Sequence, residues 1–371
     1  MTESLVDDSR MYACPSQLVP GSHANVGSKA YFPKLHWDVY YRTWAVLRDH
    51  PDRTWEALPI YECWHDWCVQ RFGQIPKGGE SANKGGAWAW HIYENALRRA
   101  WMSYEMFGYD PSKSTQGEYP MVEIQQDGAV TVMQGNKRMS LLRFDGHDDA
   151  VELKVKSVHP EWVKLVEYQE KLAGKKALYQ PLDHPSFIDW PVSQPCTERL
   201  TMMMSNDALN NKYPRSVADF GCHTGWFCRE FSRYGAYVVG IEEDRMVREL
   251  ARCASRWSRD LEGPVPTYTG ADCTQFLRAT DEEFELGLYL SIAMHAFARK
   301  GLDGGWREMK LVSQRCNKMF FDCVWGGYSE HLPFTPDNVV DEVIAHTEYT
   351  RGKFLGHTQH EGRPFYLFWK D

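Results

Sequence analysis

The sequence predicts an α/β chain of more than one domain, on three observations. From Pro214 onward apolar strands alternate with helical stretches in the order strand, helix, strand, helix, strand, which argues for a parallel sheet. The joint "SVADFGCHTGWFCREF" (216–231) ends a buried strand in Asp219 and sets Gly221 and Gly225 ahead of a helix. Upstream, "YPMVEIQQDGAVTVMQ" places Asp127 and Gly128 between two alternating runs, the pattern of a β-hairpin. At 371 residues the chain is also long for a single core.

Taken in order, residues 1 to about 30 carry Pro, Gly, Ser and Asn and read as irregular. From Trp37 to Phe72 the apolar residues recur at helical spacing, "QIPKGGESANKGGAW" reads as a loop, and "WHIYENALRRAWMSYEMFG" as another helix. After the hairpin, "GNKRMSLLRF" resumes helical spacing and "AVELKVKSV" alternates as a strand. Residues 159 to about 213 mix a helix with the Pro-rich connector "QPLDHPSFIDWPVSQP", where the domain boundary is set. The expected division is a helical region over 1–117, an α+β domain over 118–190 and an α/β domain over 191–371.

The composition is globular, at 43% apolar and 25% charged. A net charge of −8 argues against general nucleic-acid binding, though a local basic patch stays compatible with it. Ten Cys without repeated CxxC spacing lead us to expect free thiols in a reducing cytoplasm. The polar, acidic start "MTESLVDDSR" is not expected to act as a signal peptide. No run approaches the ~20 apolar residues of a membrane span, so no membrane partner is expected. Fifteen Trp are better used filling cores than as stacking platforms. "CWHDWC" (Cys63, His65, Cys68) lacks a second ligand pair, and "HTQHEGR" (His357, His360, Glu361) lacks a third strong ligand, so no metal site is expected.

The glycine joint carries most of the chemistry. Gly221 and Gly225 permit a tight turn in which backbone approaches a ligand, and the helix from Trp226 offers free N–H groups to it. A second strand, "AYVVGIEED", ends in Glu242, whose two carboxylate oxygens suit a ribose diol. Asp272, in "TGADCTQFL", could accept from an adenine amino group, and "FELGLYLSI" leads as a further strand to His295. A dinucleotide wants GxGxxG here, whereas this turn reads Gly221-Cys222-His223-Thr224-Gly225, with side chains where a pyrophosphate needs bare backbone.

In these residues the chain resembles the class I S-adenosylmethionine-dependent methyltransferases over 214–371. "VADFGCHTGWF" is similar to their first motif, "VVGIE" to the second and "GADC" to the third, "FELGLYLSIAMHAF" to the fourth strand and its sequel, and "RPFYLFWKD" to a late strand. The resemblance implies a Rossmann-like domain with S-adenosyl-L-methionine as cofactor. Gly221 and Gly225, with Cys222 in the same turn, would line its methionine tail, Asp219 would contact that tail, Glu242 would hold the ribose, and Asp272 with Cys273 would address the adenine. For a hydroxyl acceptor a base must take the proton, and His295 stands in the right region; a structural histidine there is the equal alternative. "YLSIAMHAF" occupies the place where amino-methyltransferases of DNA and RNA show Asp/Asn-Pro-Pro-aromatic, so the acceptor expected is a small molecule or glycan precursor.

In the first half, Gly135, Asn136, Lys137 and Arg138 stand at a strand-to-helix turn. Free N–H groups and two cations there read either as an anion site or as an ordinary polar helix start. The segment 118–160 resembles the ParB/sulfiredoxin-like α+β fold, with Asn136 and Lys137 in place of its histidines and no cysteine at the turn, which argues against a sulfinic-acid reductase. This resemblance implies a phosphate pocket taking ATP or another nucleotide. Two rival functions are a nucleic-acid-modifying methyltransferase and a non-catalytic, cofactor-binding regulatory protein. Neither the oligomeric state nor the role of the first hundred residues is legible.

Overall fold

The computed structural model describes residues 10–13, 18–20, 37–72, 90–107, 119–147, 149–194, 196–205, 209, 213–257, 264–324, 329–358 and 362–371. The chain divides into two compact units. One holds residues up to Val163 with His184–Ser186, and the other holds Lys164–Asp183 and Phe187–Asp371.

In the first unit, β1 (Arg10–Ala13) and β2 (Leu18–Pro20) precede α1 (Trp37–Asp49), α2 (Pro59–Phe72) and α3 (Trp90–Phe107). The hairpin β3 (Met121–Ile124) and β4 (Val130–Gln134), then α4 (Asn136–Phe144) and β5 (Val151–Val158), complete it. The hairpin closes as expected: Gly128 takes a φ of 78° and Asp127 Oδ1 accepts from the Ala129 N–H. The five strands form a mixed sheet in the order β1-β5-β3-β4-β2. Its two outer strands correct the reading of residues 1 to about 30 as irregular: β1 pairs antiparallel with β5, and β2 runs parallel to β4. Segments of four and three residues are too short to show alternation, and it is the sheet edges that make them strands. Trp44, Trp64 and Leu97 share one core with Val132, Leu141 and Leu153, so residues from both sides of the expected 117/118 boundary pack together. Tryptophan fills this core, and Trp44 Nε1 donates to Ser140 Oγ at 2.9 Å. The loop "QIPKGGESANKGGAW" lies outside the described residues.

The division between the units falls within α5 (Pro160–Ala173), and α6 (Cys196–Met204) is a helix that the reading of a connector had not separated. Then come β6 (Ser216–Phe220), α7 (Trp226–Arg233), β7 (Tyr237–Ile241), α8 (Arg245–Trp257), β8 (Thr267–Thr269) and α9 (Cys273–Ala279). β9 (Phe284–Leu290), α10 (Ala293–Arg315), β10 (Cys316–Asp322), α11 (Val339–His346), β11 (Arg351–His357) and β12 (Pro364–Trp369) finish the chain. The sheet order is β11-β12-β10-β9-β6-β7-β8. β6 to β10 are parallel, and β12 is antiparallel to both of its neighbours. This is a Rossmann-like sheet: the chain starts in the middle at β6, works outward through β7 and β8, then crosses back to β9 and β10. Alternate residues of β6 serve opposite faces, Ala218 and Phe220 joining one core and Val217 the other.

Among the described residues no helix is long and apolar enough to cross a membrane, and no group of three His, Cys, Asp or Glu could hold a metal ion. His360, Glu361 and the side chain of Cys68 lie outside the described residues. The eight cysteines whose side chains are described are all free thiols.

Candidate functional site

The site begins where β6 ends. The chain leaves the sheet through Gly221 (φ 64°), His223 (φ 52°) and Gly225 (φ 70°), all left-handed, and enters α7. Glycine is required at both of its positions. A Cβ on Gly221 would lie 2.2 Å from Ile292 Cδ1, and one on Gly225 would lie 2.5 Å from the Tyr268 hydroxyl. The Cys222 N–H bonds to the Ile241 carbonyl at 3.0 Å, which ties the turn to β7. Glu242, the first residue past β7, is locked against the turn: Oε2 accepts from the His223 N–H at 3.0 Å and Oε1 from the Asp244 N–H at 2.8 Å. Burial raises its pKa, while these two N–H groups draw it down.

Asp219, at 3% exposure, feels burial more strongly, and its carboxyl is pushed up to about 7 against the pull of the Cys228 thiol and Arg199. Cys228 Sγ stands 3.3 Å from its Oδ2. Asp272 is the N-cap of α9, its Oδ1 accepting from Thr274 N–H at 2.9 Å and Gln275 N–H at 3.3 Å. Its Oδ2 takes Lys300 Nζ at 2.6 Å, and Lys300 also reaches the buried Glu308 at 2.5 Å. Burial alone would raise the Asp272 carboxyl; Lys300 and the cap hold it below its ordinary range. His295 lies in the first turn of α10, exposed at its edge. Partial burial and then Arg299 lower its pKa, which keeps the ring neutral at pH 7.

Asp219, Gly221, Glu242, Asp272, Cys273 and His295 line one cavity of about 1000 Å³. It opens at the carboxyl ends of β6, β7 and β9, where the strand order reverses, which is where open α/β sheets bind ligands. Cys222 and Gly225 do not border it. The Cys222 side chain is in the core with Phe227 and Cys228, and Gly225 carries the entry into α7.

Sequence reasoning missed the polar wall opposite. Ser291, just past β9, is a non-glycine residue at φ 58°, held there by Asp322 Oδ1, which accepts from its N–H at 2.6 Å and its Oγ at 3.0 Å. Arg199 Nη1 pairs with Asp322 Oδ2 at 3.0 Å, and Arg363 Nη1 donates to Ser291 Oγ at 2.6 Å. Gln180 Oε1 accepts from Thr224 Oγ1 at 3.2 Å and from the Trp226 N–H at 3.3 Å, capping α7 from a distant part of the chain. Arg199, Ser291, Arg363 and Gln180 all line the cavity, and no local pattern in the sequence marks any of them.

The four residues expected at an anion site stand together in the first unit. Gly135 (φ 93°) precedes α4, and a Cβ there would lie 3.0 Å from Pro120 Cβ. Asn136 is buried and donates from Nδ2 to the Val132 carbonyl at 3.2 Å. Burial, with Arg99 adding to it, lowers the Lys137 ammonium to about 8, and Arg138 follows on the same turn.

No protein-family model matches the sequence, and no curated protein matches it. Among solved structures the chain is similar to the bifunctional kinase-methyltransferase WbdD, at 18% identity and a TM-score of 0.45 over 53% of this chain and 45% of that one. It is also similar to the N-methyltransferase NodS of Bradyrhizobium japonicum WM9 (14%, TM-score 0.37, 48% of this chain and 99% of that one). A third is the magnesium protoporphyrin IX methyltransferase ChlM of Synechocystis PCC 6803 with bound SAM (12%, TM-score 0.37, 47% and 78%). The match spans less than half the length of the WbdD chain.

Proposed function

We propose that the second unit is a class I methyltransferase domain that binds S-adenosylmethionine and methylates oxygen on a small molecule or glycan precursor. The observation that supports this best is Glu242, whose carboxylate is fixed by two backbone N–H groups against the glycine turn at the edge of the cavity. A carboxylate so held accepts from both ribose hydroxyls. The lining carries both signs: Asp219, Glu242 and Asp272 stand with Arg199 and Arg363 around one cavity, which suits a ligand that bears an ammonium and a sulfonium together with a carboxylate. The volume is within the range of cofactor sites.

When bound, the cofactor supplies an electrophilic methyl group. The chain's own residues do the rest. Gly221 lets backbone approach the amino-acid tail while Gly225 shapes the turn behind it, Asp219 meets that tail, and Asp272 with Cys273 addresses the adenine. His295, neutral and at the rim, accepts the proton of the acceptor hydroxyl. In the first unit, the Gly135–Arg138 turn takes the phosphate of ATP or another nucleotide.

Calorimetric titration with S-adenosylmethionine, S-adenosylhomocysteine, ATP and NAD tests the reading. The two adenosyl compounds are expected to bind at micromolar level and NAD not to bind. Glu242→Ala is expected to weaken them about a hundredfold, the worth of two hydrogen bonds to a carboxylate. Unchanged affinity in that variant would remove the ribose assignment. With an acceptor in hand, His295→Ala should lower turnover ~10²–10⁴-fold at unchanged cofactor affinity.

A further inference from the structure

One polar group at the cavity has no role so far. Gln169, Leu172 and Ala173 lie at i, i+3 and i+4 on α5 and all line the cavity. Gln169 is 2% exposed, and its Oε1 has no hydrogen-bond partner among the described residues. An amide oxygen buried unpaired destabilises the protein that carries it, and such groups are rare unless something else satisfies them. The neighbouring Tyr168 ties this stretch of α5 to the loop after β7. Its hydroxyl donates to Asp244 Oδ2 at 2.5 Å, and the Asp244 N–H in turn bonds to Glu242 Oε1. A second unpaired atom, His223 Nδ1, belongs to the residue whose N–H holds the other oxygen of Glu242. Both unpaired atoms belong to residues that line the cavity with the acid proposed to hold a sugar.

We propose that Gln169 reads the ribose of the bound nucleoside: its amide oxygen accepts a hydrogen bond from a hydroxyl of the sugar that Glu242 holds. This rests on the cofactor reading above. The terminal torsion of glutamine turns at little cost, so the oxygen swings to meet the ligand. An oxygen that only accepts selects a donor, and the hydroxyls are the donors that Glu242 brings to this side. Tyr168 is then a positioning residue, holding this stretch of α5 to the loop after β7.

The test is titration of S-adenosylhomocysteine and its 2′-deoxy and 3′-deoxy counterparts into wild type and Gln169→Met, with the melting temperature of each unliganded protein. Gln169→Met should bind S-adenosylhomocysteine about tenfold more weakly. It should also lose the discrimination against one of the two deoxy ligands, while its melting temperature holds or rises because an unpaired amide is gone. Gln169→Asn, which keeps the amide but withdraws it by one methylene, should lose the same discrimination. Unchanged affinity, weakening with both discriminations intact, or a lowered melting temperature in both variants would overturn the inference and leave the cofactor reading standing. A wild type that binds no adenosyl compound would overturn both.

Discussion

At Gly135 and at Gly225 a buried strand passes into a helix through a left-handed glycine, and neither glycine has a side chain to cap the helix that follows. The two turns differ in the charge beside them. The first carries Lys137, whose ammonium burial lowers to about 8. The second follows Asp219, whose carboxyl burial pushes up to about 7. Each shift favours the neutral form, and a ligand of opposite charge would reverse it. On the function proposed above, the glycine turn supplies bare backbone and the neighbouring charge decides which ligand it suits: an anion in the first unit, a cation in the second.

The backbone half of this comparison breaks most visibly at the glycines. Gly225→Ala puts a Cβ 2.5 Å from the hydroxyl of Tyr268, itself buried and bonded to Ser255, and forces a left-handed alanine at φ 70°. Overpacking and the left-handed cost together come to roughly 2–5 kcal/mol. Gly135→Ala meets Pro120 Cβ at the milder 3.0 Å, and is expected to lose only about 1–2 kcal/mol. Denaturant unfolding of both variants measures the difference. Equal losses would mean that the second turn is no more tightly packed than the first.

The charge half is sharpened by Lys137→Ala. A charge-assisted hydrogen bond is worth about 1.5–3 kcal/mol, so ATP should bind roughly tenfold or more weakly, with S-adenosylhomocysteine affinity unchanged. ATP binding equal to wild type would make the first turn an ordinary helix start.

The second turn was far more legible than its surroundings, for a physical reason. Asp219, Gly221, Gly225 and Glu242 sit within 24 consecutive residues, and the strand-turn-helix-strand unit that joins them has a fixed spacing. The polar wall opposite is built by tertiary proximity. Arg199 and Asp322 are 123 positions apart, and nothing near either one signals the other. Ser291 looks like a strand end, and only its φ of 58° and its two bonds to Asp322 mark it. Gln169 reads as one polar residue on an amphipathic helix, and its unpaired oxygen is visible only once the helix is packed. The edge strands β1 and β2 escaped notice because strands so short take their identity from the partner edge.

The opposite-charge idea is also tested directly, through protons. Asp219 has a folded pKa of about 7 against an ordinary 3.8, so between those values the folded state holds a proton that the unfolded state has lost. Stability must then fall as pH rises through the window from about 4 to 7. Asp219→Asn should flatten that slope. Lys137 runs the other way, since its folded pKa of about 8 lies below the ordinary 10.5. The unfolded state holds the extra proton in that window, and stability rises with pH across it. Ligand binding adds the second readout. A cationic cofactor at the Asp219 turn favours the carboxylate, so titration near pH 6.5 in two buffers of different ionisation heat should show a fraction of a proton released. Asp219→Asn should abolish that release. Proton uptake on cofactor binding, or a release that survives Asp219→Asn, would mean that the buried acid does not meet the cation.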